Sequence, residues 1–165
     1  MTMPNRDELL TTAEELTRSL RTEMPGHEWE WTERARAALI CVEQSLRQHI
    51  VDTEAPAGLF STEVDLTRPS LVRQVSKLRR EHEQFLEQAT GLQRQLETAA
   101  EVFRPLERAT PPSGALPQPA TAGVFVNLGS VREALELLAT ALLHHRERET
   151  DLTQESVTTD LGAGD

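Results

Sequence analysis

Three histidines stand where a helical core would ordinarily take leucine or valine: His49, His82 and His145 each fall on the apolar seam of a different predicted helix. An imidazole buried among hydrocarbon is costly unless its nitrogens find partners, so three such rings on facing helices point to one polar object shared inside the core. A metal ion is the sharpest candidate, because metal sites in helical bundles are built from imidazoles and carboxylates on facing helices. Glu149 follows His145 by four residues, the spacing that puts two side chains on one helix face. His49, His82, His145 and Glu149 are therefore the candidate ligands. The competing reading needs no ion: protein hydrogen bonds satisfy the same imidazoles.

Neighbouring polar residues fit this set less well. Glu54 follows His49 by five positions, which turns it about 140° round an ideal helix, so it joins a site only if the helix end unwinds near Thr53. At about 1.5 Å per residue, His82 lies about 20 Å from the start of its helix and His145 about 22 Å from the start of its own, depths that converge in antiparallel helices. His49 falls about two turns from the matching level, the poorest fit of the three. His144 is turned by about 100° from His145, which puts it at the edge of the seam and outside the ligand set. His27, beside Trp29 and Trp31, reads as a helix-start residue, and the two tryptophans as an apolar plug at the bundle end.

The elements that must position these residues follow from apolar spacing. Asn5 and Glu8 form a capping box for a first helix over 6–23 with Leu9, Ala13, Leu16 and Leu20 on one stripe, ended by Pro25 and Gly26. A second helix over 28–53 turns Trp31, Ala35, Ala38, Val42, Leu46 and His49 inward, and Pro56 and Gly58 prevent its continuation. The connector from Ala55 to Leu66 carries Leu59, Phe60 and Val64 and is expected to pack over the bundle end. Thr67 caps a third helix over 68–104, with Pro69 tolerated in its first turn and steps of four and three from Leu71 through Val75, Leu78, His82 and Phe85 to Phe103. Pro111, Pro112, Pro117 and Pro119 mark a loop over 105–127 that is expected to be mobile. Ser130 and Glu133 then form a second capping box for a helix over 130–158 carrying Val131, Leu135, Leu138, Leu142, His145, Glu149 and Leu152. Four such helices bury every stripe most simply as an all-α, antiparallel up-down-up-down four-helix bundle, a single domain over residues 1–165.

Composition removes several classes of function. A net charge of −10, with 17 Lys and Arg interspersed among 27 acids, argues against nucleic acid as a partner. No stretch approaches the roughly 18 consecutive apolar residues of a membrane span. The single cysteine, Cys41, cannot close an internal disulfide, and its setting among Ala38, Leu39, Ile40 and Val42 predicts a buried, inert thiol. The opening MTMPNRDELL has neither the charged start nor the apolar core of a signal peptide, so a cytoplasmic location is expected. No nucleophile elbow, Cys-His pair or phosphate-cradling glycine loop occurs, so no enzyme activity is expected.

At Glu81-His82 and His145-x-x-x-Glu149 the chain resembles the hemerythrin-like family, also called the HHE cation-binding domain. The segment LRQHIVDTEAPAGLF resembles the family's second-helix histidine and following connector, and the likeness runs over roughly residues 5–160. The departures lie in the ligand set. The first helix has no histidine between Leu9 and Leu20, Thr53 stands where the second helix should offer a carboxylate, and Leu86 stands where oxygen-carrying members have a second histidine. The resemblance therefore implies a reduced non-haem metal site, iron first and other divalent metals after it, that binds a small exogenous ligand and serves metal or oxygen binding or redox sensing. The rival function is a metal-free helical interaction or structural module with hydrogen-bonded core histidines and a protein partner of unknown kind.

Overall fold

A computed structural model describes residues 8–104 and 126–160. They form α1 (Glu8–Leu20), α2 (Glu28–Glu54), α3 (Leu59–Thr62), α4 (Pro69–Phe103) and α5 (Leu128–Asp160), with no strand among the described residues. The four long helices close a ring of neighbours: α1 packs on α2 and α5, and α4 packs on α2 and α5. No described helix is long and apolar enough to cross a membrane. Asn5, the Pro-rich stretch and the C-terminal LGAGD lie outside the described residues, as does most of the loop expected to be mobile.

The stripes pack largely as their spacing dictates. In α1, Leu9, Ala13, Leu16 and Leu20 are buried, and the helix stops three residues short of the expected end because Met24 O accepts from His27 N in a turn where Gly26 takes φ of 81°. In α2 the innermost line is Trp31, Ala35, Leu39, Val42, Leu46 and His49, so Leu39 takes the deep position expected of Ala38, which is half-buried. Trp31 joins the core, whereas Trp29 is half-buried and His27 exposed. Cys41 is exposed, contrary to the buried thiol expected from its apolar neighbours. It lies one residue, about 100° of rotation, from the inward Val42, and an apolar run is not an apolar face.

Two helix starts differ from the expected caps. Thr67 does not cap α4; its amide and hydroxyl both donate to Asp65 Oδ1, and Arg68 is the residue before Pro69. At α5 the side chain of Asn127 accepts from Ser130 N at 3.1 Å, so the helix begins at Leu128 and Ser130 lies in its first turn. Asn127 thus accepts from the amide that Glu133 would have taken in a Ser130 capping box.

The connector after α2 folds back hard against it. A Cβ at Gly58 would meet the carbonyl oxygens of Thr53 at 2.7 Å and Asp52 at 2.8 Å, so only glycine allows this approach. The return carries Phe60 inward, where it joins Val64, Leu71, Val75, Leu78 and Leu152 in a small apolar cluster separate from the main core. The main core ends in this direction at Leu46, Phe85 and Leu142. Along three helices, then, the histidines occupy the layer between two apolar clusters.

Candidate metal centre

The four ligand candidates reach this layer from three helices. His49 comes from the last turns of α2, His82 from the middle of α4, and His145 and Glu149 from α5, one helical turn apart. Their exposures are 8%, 1%, 0% and 1% respectively, so the charge on Glu149 must be balanced within the protein. One donor atom from each of the four lies within 4.8 Å of the others.

The geometry converges on Glu149 Oε1. His49 Nε2 lies 2.9 Å from it, His145 Nε2 3.2 Å and His82 Nε2 3.6 Å. His82 Nε2 and His145 Nε2 are themselves 2.8 Å apart. Donors bound tetrahedrally at about 2.1 Å from an ion sit about 3.4 Å from one another, and the observed separations bracket that value. All four sequence candidates are brought together. His49, expected about two turns off level, is among them.

A second layer of carboxylates determines which nitrogens face inward. His82 Nδ1 donates to Glu54 Oε1 at 2.6 Å, and His145 Nδ1 donates to Glu81 Oε2 at 2.8 Å. A carboxylate only accepts, so each Nδ1 carries a proton and Nε2 is the nitrogen each ring turns toward the cluster. This arrangement, imidazole held by a carboxylate at one nitrogen and free to ligate at the other, is the one that orients metal-binding histidines. Glu54 thus enters the site as a support of His82, without any unwinding of α2. The same 140° rotation, about the ideal value for five residues, that takes it off the His49 line aims it at α4.

Arginines balance these carboxylates. Arg148 Nη2 lies 2.6 Å from Glu81 Oε2, Arg79 Nε 3.8 Å from Glu54 Oε2, and Arg146 is paired with Glu149 Oε2. Burial alone would raise the Glu149 carboxyl, but hydrogen bonds with His145, His49 and His82 outweigh it and hold the group far below the usual carboxylate range. For Glu81, burial is again outweighed, here by the bonds with His145 and Arg148, and its carboxyl also falls. Burial lowers His49, against the opposing pull of Glu149, so this ring favours its neutral, ligating form.

Aromatic rings wall the layer on both sides. Phe60 stacks on His82 with centroids 6.1 Å apart, and Phe85 meets His145 edge-on at 5.4 Å. At the positions where the resemblance leaves gaps, Thr53 Oγ1 donates back to His49 O at 2.9 Å and Leu86 packs against the main core. His144 is exposed, as its rotation from His145 requires. Sequence reasoning did not assign Glu81 or Arg146 a role. Glu81 could have been found from its place beside His82, and Arg146 from its position three residues before Glu149 on a shared helix face.

The donor set fits a divalent ion on chemical grounds. With both Nδ1 protons committed outward, the Nε2 atoms of His82 and His145 meet beside the Glu149 carboxylate, a position that suits a cation, metal ion or proton. Three imidazoles and one carboxylate are a borderline set suited to zinc, iron, manganese or nickel. Comparison of the chain with models of protein families, with curated proteins and with solved structures finds no match.

Proposed function

We propose that this protein is an antiparallel, hemerythrin-like bundle holding one divalent ion, iron before others, through the Nε2 atoms of His49, His82 and His145 and the carboxylate of Glu149. The observation that carries this reading is the pair of Nδ1–H bonds to Glu54 and Glu81, which turns two imidazole Nε2 atoms toward each other at 2.8 Å in the protein interior. When bound, such an ion supplies a Lewis-acidic or redox-active centre to which a small exogenous molecule can coordinate. The role is binding or sensing in the cytoplasm, without catalysis and without nucleic acid.

A metal-free interaction or structural module is the second reading, favoured by the fact that every one of the three imidazoles has a carboxylate within hydrogen-bonding distance. In that case the cation between His82 and His145 is a proton. Elemental analysis of protein purified without an affinity tag separates the two. One iron, manganese or zinc per chain, lost in His82→Ala and in His145→Ala, is expected for the metal centre; a protein that stays empty after loading with each ion, with unchanged melting temperature, removes it.

A further inference from the structure

The three imidazoles are not held alike, and the difference lies beside a cavity. His82 and His145 are each clamped at Nδ1 by a carboxylate, whereas His49 Nδ1 has no hydrogen-bond partner among the described residues. His49 is nonetheless more than nine-tenths buried and lines a cavity of about 170 Å³ bounded by α1, α2, α3 and Arg146 of α5. At its outer side stand Glu8, Asp52 and Glu63, all exposed, with Ala57 beside them. Among the described residues lining it, the one cationic side chain is Arg146, which pairs with Glu149.

We infer that this cavity is the port through which a hydrated divalent cation reaches the centre, with His49 as the ligand that completes the site last and releases first. The inference rests on the metal reading above. The Glu8 and Asp52 carboxylates at the mouth create a negative potential that raises the local concentration of a cation and speeds its association, an effect that weakens as salt screens it. A volume of 170 Å³ has room for several waters, so the ion exchanges its hydration shell for protein ligands inside the protein rather than at the surface. The ring without a carboxylate at Nδ1 gives up only its Nε2 contact with Glu149 when it turns, whereas Glu54 and Glu81 also hold the other two. Phe60 and Phe85, on the two apolar sides of the histidine layer, lie against His82 and His145 and leave those rings at 1% and 0% exposure.

The test is the rate of Co²⁺ uptake by the full chain, followed by the visible absorption of imidazole-bound cobalt in a stopped-flow instrument, alongside equilibrium titration. The double variant Glu8→Gln with Asp52→Asn is expected to slow association by about threefold to tenfold at low salt and to flatten its salt dependence. Dissociation and stoichiometry should change little. Ala57→Phe, which fills the mouth without altering charge, should slow uptake and release together at unchanged affinity. Glu97→Gln with Glu101→Gln, the same charge change some four to six turns further along α4 from His82, should leave the rate as it was. Cobalt binding with rates unaltered in both the charge and the plug variants overturns the port while leaving the metal centre standing. An unaltered chain that takes up no cobalt at equilibrium overturns the metal reading and the port with it.

Discussion

His82 and His145 face each other Nε2 to Nε2 across 2.8 Å, while the opposite nitrogen of each ring is held by a glutamate, Glu54 for the first and Glu81 for the second. The pairing joins α4 to α5 through the rings and α4 to α2 through Glu54, so one polar layer ties together three of the four long helices. Each glutamate also meets an arginine, which lets the carboxylate stay charged where it is partly sheltered.

The glutamates should therefore tune affinity without being ligands. Glu54→Gln and Glu81→Gln each remove the acceptor charge that orients a ring and raises its basicity, and each is expected to weaken metal binding by about 10–100-fold while preserving one ion per chain. Competition against a chelator of known affinity measures the shift. Loss of stoichiometric binding at saturating metal would instead place the carboxylate among the ligands.

Acid should destabilise the metal-free protein in two stages. His49 has its folded value lowered from 6.5 by burial, so below about pH 6.5 the unfolded chain takes up a proton that the folded chain does not, and stability declines. Glu149 is held far below 4.5, so its contribution is fully present above that value and is lost as pH falls further. Urea midpoints are expected to be flat above pH 7, lower at pH 5.5 and lower again at pH 4. A midpoint that rises on acidification through this range would contradict the buried, neutral state of His49.

Arg146 is 11% exposed and its partner Glu149 1%, so removing the guanidinium strands a buried charge. Arg146→Met should lower the stability of the metal-free protein by about 3–5 kcal/mol. Loading with metal should recover part of that loss, since an ion at the histidines gives Glu149 another positive neighbour. Paired denaturation curves with and without metal read both quantities, and an Arg146→Met protein as stable as its parent would show that the pair carries no such weight.

Gly58→Ala places a Cβ against two backbone oxygens at the end of α2 and is expected to destabilise the fold by about 1–3 kcal/mol. Because those oxygens belong to Asp52 and Thr53, the shift should reach Glu54 and His49 and weaken metal binding as well. Thermal denaturation and a metal titration on the same variant check the two effects together.

Much of the fold was legible because apolar spacing is a local property. The steps of four and three in α4 placed Leu71, Val75, Leu78, His82 and Phe85 on one face before any neighbour was known, and all five are buried. Helix starts were less legible: Asn127 and Ser130 are both good caps, and the choice between them depends on where the chain enters the bundle. Cys41 shows the limit of composition, since the buried members of its apolar run, Leu39 and Val42, face inward while Cys41 and Ile40 face out.

The sequence by itself determined that three imidazoles and Glu149 would lie on inward faces, because helical rotation assigns every residue a side. Only the tertiary structure decided that their nitrogens meet at one level, that Glu54 and Glu81 turn the Nε2 atoms of His82 and His145 inward, and that His49 is left without a carboxylate at Nδ1 beside a cavity. Those outcomes depend on how far one helix slides along another and on the fold-back at Gly58. Such relative placements come from packing between segments distant in the chain, which no local spacing encodes.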